Sequence, residues 1–247
     1  MNIKDLIITL LSYIKQPKKR SLIREAYELK GKTGIEIGGP TVFFGLRGGF
    51  PIYVFARKID GVNFSNETVW EGKIQDGNNY QYYKNKTGYQ YITEATNLQR
   101  IPDNSYDFVL SSHNLEHVAN PIQALKEWSR VLKDGGKLVL ILPDKNYTFD
   151  HGRNYTTFEH VLSDYQNNTD EHDTTHFEEI LQTHDEARAG MKYEETKETL
   201  KNNFVNRCAH HHVFSLELMK QIVEYIGFTV QSQSTAAPFH LITIATK

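Results

Sequence analysis

Cysteine is almost missing from this chain. Cys208 stands alone among 247 residues, so no intramolecular disulfide can form, and a reducing compartment suits the sequence. No charge of one sign prevails: 28 Lys and Arg against 30 Asp and Glu leave a formal net charge of -2. With a pI of about 6.6 there is no global basic field for nucleic acid. Long apolar runs are lacking as well. The N-terminal MNIKDLIITLLSYIKQPKKR holds an apolar run of about nine residues, far short of the ~20 a spanning helix needs. Asp5 precedes that run and no small-residue cleavage site follows it, which argues against a signal peptide. The expectation is a helix packed on the domain; the alternative is a peripheral contact at the inner membrane face through the apolar residues and Lys15, Lys18, Lys19 and Arg20. A G-x-G-x-x-G dinucleotide fingerprint is also absent. A mean hydropathy of -0.54 fits a soluble chain, expected in the cytoplasm.

What is present centres on SYDFVLSSHNLEHVANPIQALKEWSRVLKDGGKLVLILP, residues 105–143. Residues 106–110 and 137–142 are near-continuous apolar runs of strand length, as expected when helices cover both sheet faces. Between them Asn120 can cap a helix that Pro121 opens. Ile122, Leu125, Trp128 and Leu132 recur at helical spacing, and Asp134-Gly135-Gly136 ends the segment. This is one strand–helix–strand unit of a parallel α/β sheet. Upstream, TGIEIGGPTVFF at 33–44 reads as a short strand carrying Glu36, followed at once by Gly38-Gly39.

Together these stretches resemble class I S-adenosylmethionine (SAM)-dependent methyltransferases, of the group marked by a Leu-Glu-His turn after the fourth strand. The resemblance covers roughly residues 30–143 and 213–247. It implies a Rossmann-like α/β fold: a seven-stranded sheet, mostly parallel with the last strand antiparallel, interrupted by a large helical insertion after the fifth strand. Residues 1–143 and 213–247 would form the SAM domain, and 144–212 a substrate-binding insertion or lid. The resemblance also implies that Glu36 organises the Gly38-Gly39-Pro40 loop and bonds toward the amino-acid end of the cofactor. Proline stands where a further glycine is common, which stiffens the loop.

Two segments, 52–55 and 58–64, compete for the second strand. The latter puts Asn63 where the family grips the adenosyl ribose with an acid; an amide can still bond a hydroxyl, and Asp60 is the rival. Residues 65–88 show no clean period and read as irregular. A third strand at 89–93 leads to Glu94 and Ala95, where the resemblance implies contacts to the adenine. Ser112 and His113 complete the cofactor-binding candidates.

His113, Glu116 and His117 lie at i, i+3 and i+4, so one helical turn would project all three from one side. A carboxylate and two imidazoles there make a candidate metal half-site. Some members of the group bind a divalent cation on this turn with a further His from later in the chain; that donor could come from His210-His211-His212, and the set taken here is Glu116, His117 and His211, for Mg²⁺ or Mn²⁺. The alternative is a metal-free turn in which Glu116 and His117 only orient the loop.

Residues 144–212 are too long for a plain loop and hold eight of the eleven histidines. Their first residues must follow the C-terminal edge of the sheet, where open α/β folds bind ligands. Asp144, His151 and His211 join His117 as catalytic candidates, and Asp150, Arg153, His160 and His210 are substrate-binding candidates. Residues 191–205 read as a lid helix. Thr148-Phe149-Asp150-His151 and His210-His211-His212-Val213-Phe214 resemble signatures of a subset associated with bacterial surface polysaccharides. The resulting expectation is an O-methyltransferase with a histidine base and a small-molecule substrate, a sugar nucleotide or glycan, and no nucleic-acid partner. Methylation of RNA ends or of another small metabolite, and a non-catalytic binding module, stand as alternatives.

Overall fold

The computed structural model describes residues 3–247. Ten strands occur: β1 (Thr33–Ile37), β2 (Lys58–Asn63), β3 (Glu67–Thr68), β4 (Gly72–Lys73), β5 (Gly77–Tyr83), β6 (Lys86–Ile92), β7 (Tyr106–Ser112), β8 (Leu132–Pro143), β9 (Thr229–Ala236) and β10 (His240–Thr246). Eight of them form one sheet in the order β5-β6-β2-β1-β7-β8-β10-β9, and β3 pairs only with β4. Strands β6, β2, β1, β7 and β8 run parallel, while β5 and β10 run antiparallel to their neighbours.

The segment 52–55 is not a strand: it forms the short helix α3 (Ile52–Phe55), and β2 takes the second position. The stretch 65–88 is not irregular either. In β5 the side chains of Tyr80 and Tyr82 are buried while Asn79 and Gln81 are exposed, a period-two alternation written in tyrosine and amide rather than in aliphatics. That extra antiparallel edge makes the sheet eight-stranded instead of seven.

Helices cover both faces. On one, α4 (Pro121–Val131), α5 (Phe158–Gln166) and α10 (Leu216–Ile226) bury Ile122, Leu125, Trp128, Val161, Met219 and Ile222. On the other, α2 (Arg20–Glu28), α3 and the 43–50 segment bury Leu22, Ala26, Phe44, Phe50 and Val54. Local chemistry fixes the ends: Asn120 accepts from the Gln123 amide ahead of α4, Ser215 accepts from Leu218 ahead of α10, and Gly227 closes α10 in the left-handed region.

Between β8 and α10 the chain forms α5, α6 (Phe177–Gln182), α7 (Glu186–Ala189), α8 (Tyr193–Lys201) and α9 (Asn203–Asn206). The single lid helix expected over 191–205 is thus two, broken at Asn202. Val161 of α5 belongs to the main core, whereas the rest of the insertion has a small apolar centre of Ile180, Leu200 and Ala209.

Helix α1 (Ile3–Lys15) packs against α2 with its polar side. Asp5 is buried and pairs with Lys84 at 2.5 Å, and Thr9 is buried beside it. Ile3, Ile7, Leu10 and Ile14 face outward, each at least half exposed. The helix packs on the domain, as expected, but through its polar side. Among the described residues no helix is long and apolar enough to cross a membrane.

Candidate active site

The strand order reverses between β1 and β7, which pair in parallel with Ile37 opposite Ser111. The loops leaving their C-terminal ends must therefore part, opening the crevice where such sheets bind ligands. A cleft of about 480 Å³ occupies this position, lined on one side by Gly38, Pro40, Asn63, Glu94, Ala95, Ser112 and His113. Glu116, His117 and His210 line it further along, with Trp70, Tyr147 and Phe149.

The first wall is bare backbone. Gly38 has φ +76°, and a Cβ there would lie 2.5 Å from the Asn114 amide nitrogen. Glu36 does not enter the cleft. Its carboxylate accepts from the hydroxyls of Tyr53 and Tyr80, each at 2.6 Å, and from the Thr41 amide. It holds the loop from beneath, and Gly39, directly above it, faces away from the cleft. Burial raises the Glu36 carboxyl to about 7 against the pull of those donors. Asn63 donates to the Gly39 carbonyl at 3.1 Å, tying β2 to the same loop. Asp60, its rival, accepts from the Tyr89 amide and the Tyr106 hydroxyl and is not part of the lining.

The opposite wall is the turn after β7. His113 takes φ +51°, unusual for a residue with a side chain, and its Nε2 lies 2.8 Å from Nδ1 of His240. Burial lowers His113 to about 3. Residues Leu115–His117 form a single 3-10 turn that brings Glu116 and His117 to the cleft. Glu116 is fully buried, burial raises it to about 7, and its Oε2 has no hydrogen-bond partner.

Ligand atoms of Glu116, His117 and His210 lie within 4.8 Å of one another. The Nδ1 of His117 meets the Ala209 carbonyl at 3.2 Å, and Nδ1 of His210 meets Asp150 at 2.5 Å. Nε2 is then the nitrogen each ring offers. Asp150 also accepts from Arg153 at 2.8 Å. Burial would raise Asp150, but the cations of His210 and Arg153 outweigh it and hold the carboxyl at about 2. The reciprocal effect lifts His210 above its ordinary value despite its burial.

Several sequence-based candidates lie elsewhere. His211 does not meet Glu116 and His117: its ring turns to Asn203 and to Asp173, 3.6 Å away. The three rings take different partners, and His210 takes the cleft. Asp144 caps the Asn146 amide, and His151 pairs with Asp185 at the surface. Arg153 is buried against Asp150, Glu179 and the carbonyls of His210 and His211, so it supports the site from behind. His160 lies in a separate cluster with His176 and His212.

The cleft also contains residues that sequence reasoning passed over. Arg207 bridges Glu94 at 2.7 Å and Glu171 at 2.9 Å, joining the cofactor wall to the insertion. Trp70, from the β3–β4 ladder, packs edge-on to His117 with ring centroids 5.2 Å apart. Arg188 and Phe239 complete the rim. Phe239 stands at the head of the apolar run read as the last strand; the others lie on no periodic stretch that pattern reading could have tied to the sheet edge.

Residues 45–140 match a family model described as a methyltransferase domain. Among solved structures, a SAM-dependent methyltransferase from Mesorhizobium loti is similar at 12% identity, covering 94% of this chain and 96% of that one, with a TM-score of 0.53. One from Methanosarcina mazei shows 16% identity over 91% and 96% of the two chains, TM-score 0.52. Another, from Aquifex aeolicus, shows 16% identity over 99% and 98%, TM-score 0.50. No curated protein matches the sequence. Residues 45–140 are thus a methyltransferase domain, carried on the fold of the SAM-dependent methyltransferases.

Proposed function

We propose that this chain transfers the methyl group of SAM to a hydroxyl of a sugar or sugar nucleotide, in the assembly of surface glycans. The observation that carries the reading is the convergence of Glu116, His117 and His210 inside the cleft, beyond the bare backbone of Gly38. Gly38, Pro40, Asn63, Glu94, Ala95 and Ser112 would hold SAM, whose sulfonium supplies an electrophilic methyl. The fit rests on the bare backbone of Gly38, which lines the cleft and leaves no room for a Cβ beside Asn114, and on a volume within the usual range for such ligands.

A hydroxyl attacks only as its proton leaves. His210, fixed through Nδ1 by Asp150, is the group placed to take that proton, and Asp150 stabilises the imidazolium that results. Trp70, Tyr147 and Phe149 give flat walls for the C–H face of a sugar ring, and Arg188, 44% exposed at the rim, suits a diphosphate.

With His210 as a ligand in place of a base, Glu116, His117 and His210 also fit a divalent cation. The buried Oε2 of Glu116 has no partner, and an acceptor on Nδ1 of each imidazole is the arrangement that orients metal-ligating histidines. A cation held there would lower the pKa of a bound hydroxyl. The outward apolar face of α1, with Lys15, Lys18, Lys19 and Arg20 at its end, supports a cytoplasmic enzyme working at an anionic membrane surface.

The test is an assay with SAM and a panel of nucleotide sugars, with and without Mg²⁺ or Mn²⁺. Methylated product that falls at least ~100-fold in His210→Gln supports the reading. SAM binding without product on any sugar removes the substrate claim, and no SAM binding at all favours a non-catalytic module.

A further inference from the structure

A second group of histidines lies behind the cleft. His160 and Asp164 stand at i, i+4 on α5, His176 immediately precedes α6, and His212 follows the cleft residue His210 by two. Ligand atoms of the three histidines lie within 4.8 Å of one another. The Nε2 atoms of His160 and His176 are 3.1 Å apart. Asp164 Oδ2 is 2.9 Å from Nε2 of His212 and 3.4 Å from Nε2 of His160. Ring centroids form a triangle of 5.0, 5.8 and 5.8 Å.

We propose that His160, His176, His212 and Asp164 form a structural Zn²⁺ site, separate from the cleft and independent of the function proposed above. Tetrahedral zinc with Zn–N near 2.0–2.1 Å places ligand atoms about 3.3 Å apart, close to the separations seen. Three imidazoles and one carboxylate give the closed, four-coordinate set of structural zinc, with no position left for substrate. The outer contacts agree at Asp164 and His176, while Nδ1 of His212 is buried without a partner. Asp164 Oδ1 accepts from the Thr169 hydroxyl at 3.3 Å, which turns Oδ2 to the histidines. The Glu179 carboxylate lies 3.9 Å from Nδ1 of His176, on the ring edge that supporting acceptors occupy. His212 is buried, whereas His160 is 40% exposed and leaves a path for the ion.

The placement also answers a structural need. Beyond α5 the insertion has only the small apolar centre of Ile180, Leu200 and Ala209, and small cores are commonly stapled by a metal. An ion here would clamp α5, the start of α6 and the 207–214 segment at one point. That segment carries His210, so the clamp would set the position of a cleft residue from behind.

The test uses the full chain, stripped with chelator and reloaded with Zn²⁺ or Co²⁺. The wild type should take up Co²⁺ with the intense visible bands of four-coordination, and Zn²⁺ should raise its melting temperature. His160→Asn with His176→Asn should lose the bands and weaken Zn²⁺ binding by at least an order of magnitude. Glu116→Gln with His117→Asn should keep both, which separates this site from the cleft. Circular dichroism and SAM titration show whether the double variant folds; if it does not, His160→Asn alone, at an exposed side chain, gives the same reading in weaker form. Uptake by the Glu116→Gln, His117→Asn variant that survives the further loss of His160, or a wild type that binds no ion beyond what Glu116 and His117 account for, overturns the site.

Discussion

Burial governs the carboxyl of Glu36, which is raised to about 7 from an ordinary value of 4.5. The folded chain holds that proton over a range in which the unfolded chain releases it. The resulting stability is fully present below about pH 4.5 and is lost as pH rises through 7. Its size is at most about 3 kcal/mol. Urea melts at about pH 5 and about pH 8 should therefore show a smaller pH difference in Glu36→Gln than in the wild type; equal differences would contradict the assignment. Gly38, Asn63, Glu94, Ser112 and His113 were placed by the family resemblance, and Glu116 and His117 also by their spacing after an apolar strand; all line the cleft. The choice among His210, His211 and His212 was not legible in the sequence. Neighbouring residues in extended chain point to different sides, and only the packing partners, Asp150, Asp173 and Asp164, decide which ring goes where.

The loop between β1 and the 3-10 turn Val42–Phe44 has a steric requirement of its own. A Cβ on Gly39 would lie 2.2 Å from the Glu36 carboxyl carbon and 2.4 Å from the Tyr80 hydroxyl. Gly39→Ala must displace that buried cluster, and overpacking of this kind costs about 1–3 kcal/mol. SAM affinity measured by isothermal titration should drop at least tenfold while the far-UV spectrum is kept; wild-type affinity would show that the loop and cluster are not coupled. The helices were readable from caps and spacing, as at Asn120 and Ser215. Strand β5 was missed because its buried positions are tyrosines separated by polar residues, and α3 was taken for a possible strand because four buried residues in a row carry no period.

For the molecule as a whole, one strand–helix–strand unit over 105–143 was legible from its apolar runs, and the rest of the sheet was implied by the family resemblance. The insertion could not be read this way, since its segments are held by ion pairs and histidines rather than by a repeating apolar face. Helix α1 packs as expected but with an unexpected face: the buried Asp5, paired with the half-exposed Lys84, turns its apolar side outward. That orientation predicts sedimentation with vesicles containing anionic lipid, reduced by added salt. Replacing Ile7 and Leu10 with Glu should reduce the bound fraction at least tenfold without changing SAM affinity. Equal binding by the variant, or no preference for anionic over neutral vesicles, would remove the membrane role.

In the stretch 207–214 consecutive side chains answer to different walls: Arg207 to Glu94 and Glu171, His210 to Asp150, His211 to Asp173, His212 to Asp164. One residue gained or lost here would hand every ring to the wrong neighbour at once. This strip tolerates exchange of letters but no change of spacing, like the bitting of a key.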